Sequence, residues 1–197
     1  MLPIFNLEIE GMEDGIYAVS IVKHPATEQA YMLFNKDSEM QKFRIEDEEK
    51  QIVTGVLMTA NSLIYRSNEE IGEHYIRFTP EAIRKGMQLF FRDGHHLTAN
   101  FEHNSNQPVN GVYFYESFQV DQERGISAPK GMDVPDGSWV GTMKVEDPAI
   151  WELIRQGDFT GFSIEGFFTY TTPEEDASDD ELMEAIESLL DELEKKK

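Results

Sequence analysis

The chain has 197 residues, long enough to bury a core of its own as one domain with appendages. With 38 acidic residues against 17 basic ones its formal charge is −21, a balance that disfavours nucleic acid and anionic membranes as partners. It contains no cysteine, which excludes a disulfide framework, a thiolate metal site and a thiol nucleophile.

The opening stretch MLPIFNLEIEGMEDG lacks the basic region of a signal peptide, and nothing in the chain approaches 18 consecutive apolar residues, so a soluble, unexported protein is expected. GIYAVSIV (15–22) is rich in β-branched residues and reads as a strand. NKDSEMQKFRIEDEEKQ (35–51) is polar and turn-rich and reads as a break, after which QIVTGVLM (51–58) is the next strand. In TPEAIRKGMQLFFRDG, Thr79 is a helix N-cap, Pro80 the first helical position and Gly94 the stop. HHLTANFEH then brings three histidines together, but no HExxH pattern accompanies them and no metal site is assigned. Alternation places Leu97, Ala99, Phe101 and His103 on one strand face. An imidazole at the end of a buried face is well placed to act as a base. His24 and His74 stand alone and read as ordinary surface or core residues.

GVYFYESFQV (111–120) is an aromatic strand, and QERGISAPKGMDVPDG (122–137) has the prolines and glycines of a surface loop. EDPAIWELIRQG repeats the helix grammar with Asp147, Pro148 and Gly157, and its buried face is Ile150, Trp151 and Ile154. GDFTGFSIEGFF places Ser163 in a short apolar run. This is not a G-x-S-x-G elbow: the second glycine comes three residues after the serine, and the helix precedes the serine instead of following it. Spacing alone reads Ser163 as a structural strand residue. From Glu174 onwards eleven acidic residues meet three basic ones. There Ser178 and Glu181 stand at capping-box spacing, and Leu182, Ile186, Leu189 and Leu193 form one stripe. The expected architecture is α+β: a mostly antiparallel β body over residues 1–172 with helices packed on it, and an acidic amphipathic helical tail over 173–197. That helix would dock on a partner, on a second copy or on its own body.

Taken in order, GIYAVSIVKHPATEQAYMLF, IRFTPEAI, NFEHN, YFYESFQVD and PDGSWVGTMKVEDPAIWELIRQGDFTGFSIEGFF resemble the phage prohead (capsid maturation) serine proteases of the XkdF type. The resemblance covers residues 11–168. It implies the fold of the herpesvirus assemblins, a β-barrel surrounded by helices. It also implies a serine endopeptidase that cuts scaffold and major capsid protein precursors inside the assembling procapsid, in the host cytoplasm, without a cofactor or metal. Residue by residue, it carries the nucleophile onto Ser163 in GFSIEG and the base onto His103 in FEHN. A base within hydrogen-bond reach activates the hydroxyl, and a third group orients the base. Glu116 in ESF is the first choice for that third group, and Glu165, on the strand face of Ser163, is the second. The rival reading is a catalytically silent assembly or scaffold-docking protein with the same fold.

Overall fold

The computed structural model describes residues 2–23 and 43–173. The tail with its leucine stripe, and His24, lie outside the described residues. Twelve described strands form three four-stranded sheets. The first holds β1 (Ile4–Glu8), β5 (Ile64–Asn68), β6 (Gly72–Phe78) and β12 (Thr169–Thr171), in the order β12-β1-β6-β5. The second holds β3 (Arg44–Asp47), β4 (Ile52–Met58), β9 (Val112–Gln119) and β10 (Trp139–Val145), in the order β3-β4-β10-β9. The third holds β2 (Gly15–Val22), β7 (Ala99–Phe101), β8 (Asn104–Val109) and β11 (Gly161–Phe167), in the order β11-β2-β7-β8.

Pairing is antiparallel except for β1 with β6 and β2 with β7. The expected barrel is not closed. A barrel needs one continuous ladder around its circumference, whereas here the strand ladders fall into three separate sheets. The polar stretch read as a break contains β3, an edge strand on β4 with Arg44 paired to Glu46 at 2.5 Å. Charged side chains suit an edge strand, which has one side open to water.

Two helices follow their caps. In α1 (Pro80–Arg92) the Thr79 hydroxyl accepts from the Ala82 N–H at 3.1 Å, and Gly94 adopts φ +79° beyond the end. In α2 (Pro148–Arg155) the Asp147 carboxylate accepts from Ala149 and Ile150, and the buried face is Ile150, Trp151 and Ile154. The largest cluster of buried side chains joins all three sheets to both helices. At its centre Phe90 of α1 meets Trp139 of β10 edge to face, 5.4 Å between ring centres, and neither ring reaches solvent. Aromatic pairs of this geometry add about 0.5–1.5 kcal/mol beyond their buried area. The third sheet is anchored to this core through Val19 and Ile21 of β2, which are also fully buried. Alternation then aims Ala18 and Ser20 at the opposite face.

Candidate active site

That opposite face carries polar side chains. β11 pairs antiparallel with β2 so that Ser163 lies directly across from Ser20 and Glu165 across from Ala18. On its other side β2 pairs in parallel with β7, which sets Asn100 beside Ser20. Residues in register share a face of a sheet, as do residues two apart along a strand. Ser163, Ser20, Asn100 and Glu165 therefore converge from three strands.

His103 arrives from a turn. β7 and β8 form a hairpin whose register closes on Phe101 and Asn104, with Glu102 and His103 in the two-residue loop at φ +48° and +60°. Two consecutive left-handed residues make the tight turn that matches strand twist. Two contacts hold this turn against β2: the Glu102 N–H donates to the Ile21 carbonyl at 3.2 Å, and the Glu102 carboxylate accepts from the Lys23 N–H at 2.7 Å. The expected strand position of His103 thus gives way to a turn. Its ring still reaches the polar face, with Nδ1 at 3.2 Å from Ser20 Oγ and 3.6 Å from Glu165 Oε1.

Glu165 is the most firmly held member. Its Oε1 accepts from Asn100 Nδ2 at 2.6 Å and from Ser20 Oγ at 2.7 Å. Ser20 Oγ also lies 2.7 Å from Asn100 Oδ1, and a hydroxyl has one proton, so it donates to one of these oxygens at a time. Burial by itself would raise the pKa of Glu165. The hydrogen bonds from Asn100 and Ser20 and the charge of His103 outweigh that effect and hold the carboxyl below its usual range. It is a carboxylate at neutral pH, facing the Nδ1 side of an imidazole.

Glu116, the first choice as orienter, is exposed on β9 in the second sheet, opposite Thr142. The carboxylate at His103 is Glu165. Ser20 and Asn100 are site residues that sequence reasoning missed. A hydroxyl inside a β-branched run leaves no local mark, and the register that sets Ser20 opposite Ser163 joins distant parts of the chain. His95 and His96 occupy a short 3₁₀ turn near Phe90 and Phe91. No group of three potential ligands that could hold a metal occurs among the described residues.

The two serines differ in access. Ser20 is fully buried, whereas Ser163, 6% exposed, lines a cleft of about 470 Å³ together with His103 and Glu165. No hydrogen bond joins Ser163 to His103 among the described residues. The His103 side chain is 46% exposed on its turn, and catalytic hydrogen bonds are often long before substrate binds. One wall of the cleft is the inner face of the first sheet, with Leu7, Ile64, Ile76 and Phe78, and another is β11 itself. β11 is the edge strand of its sheet. The arrangement offers a serine on an edge strand, an imidazole lining the same cleft and a carboxylate held at the Nδ1 side of that imidazole.

Comparison with known proteins adds one finding. No curated protein matches the chain, and no solved structure does either. A family model described as "Putative phage serine protease XkdF" matches residues 39–172, more than half of the chain and the part that carries His103 and Ser163, and the chain belongs to that family.

Proposed function

We propose that the protein is a serine endopeptidase with Ser163 as nucleophile, His103 as base and Glu165 as the group that orients the base. The carrying observation is the meeting of three strands. Ser163 opens into a cleft directly opposite Ser20, and the Ser20 hydroxyl and Glu165 together face Nδ1 of His103. With Nδ1 occupied, Nε2 is left to serve the cleft. Ser163 Oγ attacks the carbonyl carbon of the scissile peptide as His103 takes its proton, and the Glu165 carboxylate stabilises the imidazolium that forms. The C–N bond then breaks, and His103 returns the proton to the leaving amine. Water, deprotonated in turn by His103, releases the acyl group from Ser163. Membership of a phage family supports the finer reading, cleavage of scaffold and major capsid protein precursors inside the assembling procapsid.

Proximity to His103 favours Ser20 as the nucleophile, and access favours Ser163. A serine that no substrate carbonyl can reach does not attack one, so access decides. Treatment with a fluorophosphonate probe followed by peptide mapping tests the assignment. The expected product carries the probe on Ser163. A tag on Ser20 would transfer the nucleophile's role to it. No tag at all, together with intact precursors when the chain is co-expressed with scaffold and capsid proteins, would leave the fold as a silent assembly module.

A further inference from the structure

The wall of the cleft formed by the first sheet carries one arginine and no lysine among the described residues. Strand register places Phe5, Leu7, Ile64, Arg66, His74, Ile76, Phe78 and Tyr170 on the inner face of the first sheet. Among the described residues Arg66 is the only lysine, arginine or carboxylate on that face. It lines the same cleft as Ser163, His103 and Glu165. The side chain is half-buried, and its one hydrogen bond among the described residues runs from Nη1 to the carbonyl of Tyr65 at 3.0 Å. No carboxylate pairs with it among the described residues. Of the six other arginines, Arg44, Arg84, Arg92, Arg124 and Arg155 have carboxylate partners, and Arg77 donates to the Asn6 side-chain oxygen at 2.7 Å. Burial draws the guanidinium below its ordinary value, which is the cost of taking a charge partly out of water without a counter-charge.

A fork of N–H donors over an apolar floor is the geometry that receives a carboxylate in two parallel hydrogen bonds. We infer that Arg66 is the specificity-determining residue of this cleft, pairing with a glutamate or aspartate side chain of the peptide held against Ser163. The apolar floor of Leu7, Ile64 and Phe78 would take the methylene part of such a side chain and exclude water from the pair. This deepens the protease reading and rests on it for the cleavage step, while the carboxylate subsite itself needs no chemistry to be detected.

Two measurements separate the ideas. The probes are short fluorescein-labelled peptides of one fixed sequence, with Glu, Gln or Lys placed in turn at each position. In the first, wild-type protein is expected to cut the best Glu peptide with kcat/KM about tenfold or more above its Gln counterpart, the effect of one charge-assisted pair. Arg66→Gln should erase that preference with a thermal melt close to wild type, and Arg66→Lys should restore part of it. In the second, anisotropy with the Ser163→Ala protein reads binding without cleavage, and the Glu peptide should again bind about tenfold more tightly in an Arg66-dependent way. Absence of cleavage with Arg66-dependent binding intact would sink the protease reading and keep the subsite. A Glu preference that survives Arg66→Gln, or no preference in either measurement, would overturn the inference. Mass spectrometry of the full chain on storage tells the sources of the carboxylate apart: Arg66-dependent cuts beside acidic residues of 174–197 would mark the chain as its own substrate, and their absence would mark a separate one.

Discussion

At the scale of single residues, Ser163 and Ser20 face each other across one strand pair, and their burial divides their roles. Ser163→Ala should abolish fluorophosphonate labelling and precursor processing, a loss on the order of 10⁴ or more, with little effect on the melt, because a residue lining the cleft loses one hydroxyl. Ser20→Ala should behave differently. It leaves Asn100 Oδ1 buried without a donor, at a cost of about 1–3 kcal/mol, and it loosens Glu165 and His103 together. Labelling of Ser163 should slow by roughly 10–100-fold without disappearing. Equal losses in the two mutants would place Ser20 in the reaction itself. The carboxylate makes a prediction in pH. The pKa of Glu165 is lower in the folded protein than in the unfolded chain. Its ionised form therefore stabilises the fold above the ordinary glutamate range, and that contribution is lost as pH falls through the depressed value. The stability gap between wild type and Glu165→Gln, measured by urea unfolding, should be constant near neutrality and close in acid. A gap that widens as pH falls would mean that Glu165 is protonated in the folded state.

The elements that position these residues were legible where the local signal and the tertiary fold agree. GIYAVSIV is β2 to the residue, and both helices begin and end at the Asp or Thr, Pro and Gly that mark them. Legibility failed where structure is set by distant partners. The alternation through Leu97, Ala99, Phe101 and His103 suggested one continuous strand, yet the chain reverses at Glu102 and His103 without the Asn-Gly pair that announces such a turn. What holds it is the contact of Glu102 with the Ile21 carbonyl and the Lys23 N–H, which no local reading contains. The glycines around Ser163 are a similar case. Gly166 follows a bulge in the β2–β11 pairing, and a Cβ there would stand 2.5 Å from the Gly15 carbonyl oxygen and 2.9 Å from the Phe168 ring. The motif glycine is thus set by a close backbone approach, with no part in a nucleophile elbow. Gly166→Ala should shift β11 against β2 next to Glu165, costing about 1–3 kcal/mol as overpacking does and slowing Ser163 labelling by more than its loss of stability explains. A mutant that melts and labels as wild type would show that the bulge tolerates a side chain.

At the scale of the molecule, the family match begins at residue 39, but the fold does not. β1 stands between β12 and β6 in the first sheet, and β2 stands between β11 and β7 in the third. Ile16, Val19, Ile21 and Val22 are almost wholly buried, and burying each such side chain is worth about 1.5–3 kcal/mol. Together they approach the whole net stability of an ordinary domain, about 5–15 kcal/mol. β2 also brings Ser20, so the site is incomplete without it. A chain comprising residues 39–172 should therefore fail to fold, with no cooperative thermal transition, exposed apolar surface by dye binding, and no labelling of Ser163. A chain comprising residues 1–172 should fold, because it retains β12 on the edge of the first sheet, and its melt should lie within a few degrees of the full chain. Were the 39–172 fragment to give a cooperative transition and label at Ser163, β2 would be an accessory strand and the Ser20 contact dispensable. Were the 1–172 chain to lose many degrees, residues 173–197 would belong to the body's own core and could not serve as a separate docking segment.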